Sequence, residues 1–186
     1  MATASSDVYP DIERWRLPRV ALVDTISAVS PTGRRGRETG VFWLGERAST
    51  ATVTAMVMPS GEGVEEWAGQ WRVSSSVFGV ISRWARKREL TLLAIVHIHL
   101  PGVPPRLSWA DRNLSVQVPG ILSVVIGNGG ADREHTQWGW YVYENGQYRR
   151  MALEELRGRL VLESLGQTST WCADIHGVRE ATYDPT

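Results

Sequence analysis

The sequence predicts one α/β domain, a mixed β-sheet flanked by helices. Three observations carry that prediction. Apolar runs of strand length recur, continuous at 92–96, broken only by Ser123 at 121–126, and alternating at 50–58. Between them, apolar residues repeat at helical spacing: Val77, Val80, Ile81 and Trp84 in one stretch, and Leu153, Leu156, Leu160, Val161 and Leu165 in another. The 186 residues have room for one good core, with no internal repeat and no linker long enough to divide them.

Composition narrows the classes. Hydrophobic content of 42% and charged content of 22% are those of an ordinary globular protein. Net charge is +0 and no basic block stands out, which argues against nucleic acid as a partner. The one cysteine, Cys172, excludes an internal disulfide and a cysteine-based zinc site. No apolar run reaches ~18 residues and the first residues carry no signal-peptide core, so a cytoplasmic protein without membrane contact is expected. Lys87 is the only lysine. A GC-rich genome explains this, and so does work beside a lysine-directed conjugation system; both readings stay open.

Taken in order, residues 1–16 are polar and read as a flexible lead-in, 17–166 as the domain proper, and 167–186 as a weakly patterned tail. Pro18 suits the first position of a helix whose stripe Val20, Ala21, Ile26 and Val29 runs up to Ser30-Pro31. Arg34, Arg35 and Arg37 then lie in a loop, solvated or facing an acidic partner tail. Strands are expected over 39–45 and 50–58, with a hairpin-like connection between them. A loop follows from Pro59 to about Trp71. Ser74-Ser75-Ser76 offers N-caps for a helix reaching about Arg88. Later elements are a short helix from Asp111 to Val118, a strand over 138–143, an Asn145-Gly146 hairpin turn, and a helix over 151–165.

The chemistry concentrates at 91–111. The buried run there ends in His97 and His99, two residues apart and therefore on one side of the sheet. A Pro/Gly-rich turn leads to Ser108-Trp109-Ala110-Asp111. A carboxylate so placed closes a three-ligand site and leaves the fourth position of a tetrahedral zinc open for water, the arrangement of a catalytic ion. Two bland readings compete. An isolated His-x-His is more often a pair of strand-end polar residues, and Ser-x-x-Asp also fits a helix capping box.

Glu38, His97, His99, Ser108 and Asp111 together resemble the signature of the JAMM (MPN+) metalloproteases: an upstream Glu, then His-x-His, a short loop, and Ser-x-x-Asp. The chain departs from that pattern at Leu100, where Pro is usual, and in a loop one residue longer than the commonest spacing. The resemblance implies an MPN fold (JAMM, cytidine-deaminase-like) and one Zn2+ per chain with a catalytic water. It implies His97, His99 and Asp111 as metal ligands, Glu38 as general base, and Ser108 as the donor that stabilises the oxyanion. The segment after the second strand would border the substrate groove, making Trp67 and Trp71 contact residues.

By the same resemblance the substrate is the C-terminal tail of a ubiquitin-like protein or its conjugates. The setting is a bacterial, stand-alone deubiquitinase-like member acting with homologues of ubiquitin-activating and conjugating enzymes, some of them in antiphage systems. Two alternatives remain: a non-catalytic MPN-type scaffold that binds a partner protein, and a peptidase of the same chemistry acting on a sulfur-carrier protein. Glu46 is the nearest competitor for the base and reads as a solvated turn residue. His135 and His176 read as isolated and exposed. Helical His-Glu-x-x-His and Pro-Cys-x-x-Cys motifs are absent, which excludes zincins and zinc nucleobase deaminases.

Overall fold

The computed structural model describes residues 11–164 and 166–181. In chain order the elements are β1 (Arg14–Pro18), α1 (Arg19–Arg34), β2 (Gly40–Glu46), β3 (Thr50–Pro59), β4 (Val64–Trp67) and β5 (Gln70–Val73). These are followed by α2 (Ser75–Arg86), β6 (Thr91–Ile98), α3 (Trp109–Asn113), β7 (Leu122–Ile126) and β8 (Gly139–Glu144). The chain then forms β9 (Gln147–Arg150), α4 (Leu153–Arg159), β10 (Leu160–Glu163), β11 (Ser169–Ala173) and β12 (Val178–Glu180). The architecture is α/β. A large, curled, mixed sheet runs β10-β1-β3-β2-β6-β7-β8-β9, with β11 and β12 attached through β3.

Strand β6 sits in the middle of this order, antiparallel to β2 and parallel to β7. Its apolar residues explain the position, because a strand hydrogen-bonded on both sides and covered on both faces must be apolar nearly throughout. One face carries the larger core. There Ala21, Ile26 and Val29 of α1 meet Trp43, Val96 and Ile98. Trp43 is fully buried and its Nε1–H donates to the Thr25 hydroxyl at 2.9 Å. Truncating such a side chain to Ala costs about 3–5 kcal/mol. On the other face, Val77, Ile81 and Ala85 of α2 pack over Phe42, Leu44 and Val57. The Ser74 hydroxyl caps α2 by accepting from the Val77 N–H. The Asn145-Gly146 turn forms as expected, with positive φ at both residues.

The structure departs from the sequence reading in six places. Residues 1–10 of the expected lead-in lie outside the described residues, but Arg14–Pro18 is a strand. It is held in parallel between β10 and β3, and its exposed–buried alternation buries Trp15 and Leu17. Helix α1 does not stop at Ser30-Pro31 and instead runs through Pro31 to Arg34. A tertiary contact carries it on: Gly33 packs so tightly on Gly129 that a Cβ would fall 2.0 Å from the Gly129 carbonyl oxygen. The expected loop from Pro59 to Trp71 contains the β4–β5 hairpin, turned at Gly69 with φ of 80°.

The helix expected over 151–165 ends at Arg159, and its last apolar residues become β10, drawn into pairing with β1. The weakly patterned tail supplies β11, which adds in parallel to β3, and β12; residues 182–186 lie outside the described residues. The short helix after Asp111 ends at Asn113 rather than at Val118. No helix among the described residues is long and apolar enough to cross a membrane.

Candidate metal centre

His97 and His99 project from the C-terminal end of β6, as the parity of the strand requires. The backbone there is fixed on both sides, and towards β2 the Ile98 N–H donates to the Thr39 carbonyl at 3.0 Å. The His99 N–H donates to the Ile126 carbonyl at 2.9 Å, and the His99 carbonyl accepts from the Gly129 N–H at 2.7 Å. Both imidazoles are buried and lie with ring centroids 5.1 Å apart. Residues 100–103 then close a tight turn, with the Val103 N–H on the Leu100 carbonyl at 3.0 Å and Gly102 at φ of 80°. Pro101 and Gly102 occupy the two central positions where a type II turn favours Pro and Gly. The turn returns the Pro104 carbonyl to 3.3 Å from His99 Nδ1. A carbonyl oxygen only accepts, so Nδ1 is assigned the proton, leaving the Nε2 lone pair for a cation.

Asp111 arrives from the other side on α3. The capping box read from the sequence is present in full: the Ser108 hydroxyl accepts from the Asp111 N–H at 3.1 Å, and Asp111 Oδ2 accepts from the Ser108 N–H at 2.7 Å. The bland and functional readings of Ser-x-x-Asp are therefore both realised in one geometry. Asp111 Oδ1 stands 3.4 Å from His97 Nε2, and Oδ2 stands 3.6 Å from His99 Nε2. Two ligands of a tetrahedral ion at 2.0–2.2 Å are separated by roughly 3.3–3.6 Å. His97 Nε2 is buried and makes no hydrogen bond, and an orphaned buried nitrogen of this kind calls for a partner. Among the described residues, His97, His99 and Asp111 are the one group of side chains close enough together to hold a metal ion. Two imidazoles and a carboxylate suit a catalytic zinc, and also suit the facial triad of non-haem iron.

The remaining predicted residues are brought to the same place. Glu38 precedes β2, whose Gly40 pairs with His97. It is buried, and burial pushes its carboxyl above the ordinary glutamate value, against the opposing pull of His99 and His97. Burial acts in the same direction on Asp111, but the two imidazoles beside it outweigh burial and hold it far below the usual carboxylate range. For His99, burial favours the neutral ring, yet the charges of Asp111 and Glu38 prevail and raise it. A proton and a cation thus compete for the same Nε2. Glu46, the competing base, is exposed at the far end of β2, and His176 is exposed near Glu62.

A cleft of about 400 Å³ opens over these groups. Its floor is Phe42, Ile95 and Ser123, and one bank is the run of residues 69–73 from the hairpin. Trp71 belongs to that bank, packing on Phe42 with ring centroids 5.6 Å apart, whereas Trp67 is largely exposed. The hairpin is tied to the site, since the Glu38 N–H donates to the Trp67 carbonyl at 2.9 Å. Trp71 was singled out in the sequence as a groove residue, but its neighbours in the run at 69–73 and Ser123 were not. The parallel register of β7 on β6 sets Ser123 opposite Ile95, a relation between strands that a single sequence does not display.

No protein-family model matches the chain, and no curated protein does. Among solved structures, the chain is similar to protein DSY2949 from Desulfitobacterium hafniense. The TM-score is 0.60 at 12% identity, covering 82% of this chain and 94% of that one. A protein from Salinibacter ruber aligns with a TM-score of 0.53 at 15% identity, covering 81% of this chain and 92% of that one. At these identities the likeness concerns the fold alone.

Proposed function

We propose that the chain is a zinc-dependent peptidase of the JAMM type, with the MPN fold, that cleaves at the C-terminal tail of a ubiquitin-like protein. One observation supports this reading above the others: a buried carboxyl with a raised pKa, Glu38, meets the His97–His99–Asp111 group from the segment that leads into β2. An accidental metal-binding cluster has no need of a desolvated carboxyl beside it, whereas hydrolysis needs a base that is not itself a ligand.

A zinc ion held by His97, His99 and Asp111 would supply Lewis acidity and lower the pKa of water from ~15.7 towards about 7. Glu38 takes the proton from the attacking water as the new C–O bond forms, and passes it to the amide nitrogen, whose C–N bond then breaks to release the amine. Its raised pKa suits both halves of that transfer. The Ser108 hydroxyl, which only accepts within its capping box, keeps its own proton to donate to the carbonyl oxygen as negative charge develops there. The cleft between residues 69–73 and α3 takes an extended, small-residue tail and excludes a folded chain.

The test is metal content of the purified protein, zinc and iron together, followed by turnover of ubiquitin carrying a C-terminal coumarin amide. Zinc in stoichiometric amount with turnover lost in Glu38→Gln supports the proposal. Zinc without turnover on this or any sulfur-carrier fusion moves the reading to a scaffold, and iron in place of zinc removes the peptidase reading.

A further inference from the structure

Helix α3 contributes a metal ligand yet buries none of its own five residues, and its sequence ends at Asn113 with no helical continuation. Something outside the helix must therefore fix it. Besides the histidines that Asp111 faces, contacts to the helix and to the residues that follow it come from the β8–β9 hairpin. The Tyr148 hydroxyl donates to the Val116 carbonyl at 2.5 Å and lies 3.5 Å from the Ser115 hydroxyl. The Tyr143 hydroxyl lies 3.4 Å from Gln117 Oε1. The Arg112 guanidinium sits 5.8 Å from the centre of the Tyr141 ring. Tyr143 and Tyr148 face each other across the hairpin, and their rings meet edge to face. Tyr148 is buried with its ring in the small core of Leu107, Ile121, Val125 and Tyr141, whereas Tyr143 is only partly buried, so of the two hydroxyl contacts that of Tyr148 is the better anchored.

We infer that Tyr148 is a positioning residue for Asp111: by holding the Ser115–Val116 segment from a buried ring, it fixes the short helix that brings the carboxylate to the two histidines. This role rests on the metal reading above. The two histidines need no such device, because they belong to a strand paired on both sides. Asp111 has the capping box for its local geometry, but a capping box fixes the carboxylate relative to Ser108 and not relative to β6. Leu107, buried beside Val125 of the strand that pairs with His97, anchors the start of the helix, and the tyrosines anchor the segment that follows it.

The experiment compares Tyr148→Phe with wild type and with Ile26→Val, a core variant in α1 matched for loss of thermal stability. Zinc affinity is read by competition with a chromophoric chelator, and coordination by the visible spectrum of the Co2+-loaded protein. Tyr148→Phe is expected to weaken zinc by about tenfold, the lower end of the cost of losing a partner outside the ligand shell, and to alter the Co2+ spectrum. Ile26→Val should change neither. Tyr143→Phe, at the exposed end of the same hairpin and free of folding risk, should shift affinity the same way by less. Wild-type affinity and spectrum in both tyrosine variants would overturn the positioning role while leaving the metal site standing. A wild-type chain that takes up neither zinc nor cobalt would remove the site and this role with it.

Discussion

His97 and His99 hang from a strand that is hydrogen-bonded to β2 on one side and β7 on the other, with apolar cores above and below. Asp111 rides a five-residue helix with no buried residue, reached through a turn rich in Pro and Gly. One region holds its donors by long-range pairing, and the other by local hydrogen bonds together with a side-chain clamp. The rigid half sets where a cation can sit, and the lightly held half completes the site and sets how tightly. The difference predicts that substitutions on β6 act as all-or-none, whereas those around α3 grade metal affinity.

The largest effect is expected at His99. Replacing it with Ala removes a ligand that no neighbour can replace, so zinc should fall to background by elemental analysis while the domain stays folded. The loss should exceed the ~10–100-fold that follows from losing an outer partner of a ligand. Retention of stoichiometric zinc in His99→Ala would break the comparison at its root.

Glu38→Gln separates chemistry from binding. Zinc should remain, while kcat on a cleavable substrate falls by about 10²–10⁴. The pH dependence follows from its role as base. Only the deprotonated carboxylate can act, and burial, which favours the neutral form, is opposed by the histidines and by a bound cation, so kcat/KM at saturating zinc should rise with pH on a limb set by Glu38. That limb should vanish in Glu38→Gln. Persistence of that limb in Glu38→Gln would show that a different group sets it.

An intermediate effect is expected at Gly40, where β2 crosses β6 opposite His97. A Cβ there would fall 2.4 Å from the Val96 carbonyl oxygen and 2.6 Å from the Trp71 ring. Gly40→Ala should therefore cost about 1–3 kcal/mol, read from denaturant unfolding, and displace the hairpin bank of the cleft. Unchanged stability would mean that the hairpin yields freely, and the cleft would then be shaped by its substrate.

The same contrast governs what the sequence revealed. The apolar run of β6 and the parity of His97 and His99 are properties of consecutive residues, and so is the Ser108–Asp111 capping box; all were legible. The hairpin at 64–73 was not. Its strands have four residues each, and Glu65, Glu66 and Arg72 mask the apolar alternation. Leu160, Val161 and Leu162 continue a helical stripe and read as helix, but their pairing with β1 makes them a strand. Proximity of Glu38 to the histidines was legible only as a resemblance, because nothing local to residue 38 refers to residue 97. Local pattern shows an element, and pairing between distant segments decides its role.

The finest test uses two serines in the same local role. Ser74 caps α2, which buries Val77, Ile81 and Ala85, and Ser108 caps α3, which buries nothing. Loss of an N-cap hydroxyl typically costs about 1 kcal/mol where the helix contributes to global stability. Ser74→Ala should therefore lower unfolding stability by about that amount and leave zinc affinity as it was. In Ser108→Ala the order inverts. Unfolding stability should barely move, because α3 can fray without exposing core, but the Asp111 backbone N–H loses its acceptor and zinc affinity drops. Equal stability losses in the two variants would show that α3 is as firmly built into the fold as α2. The lightly held half of the site would then be no more adjustable than the strand it faces.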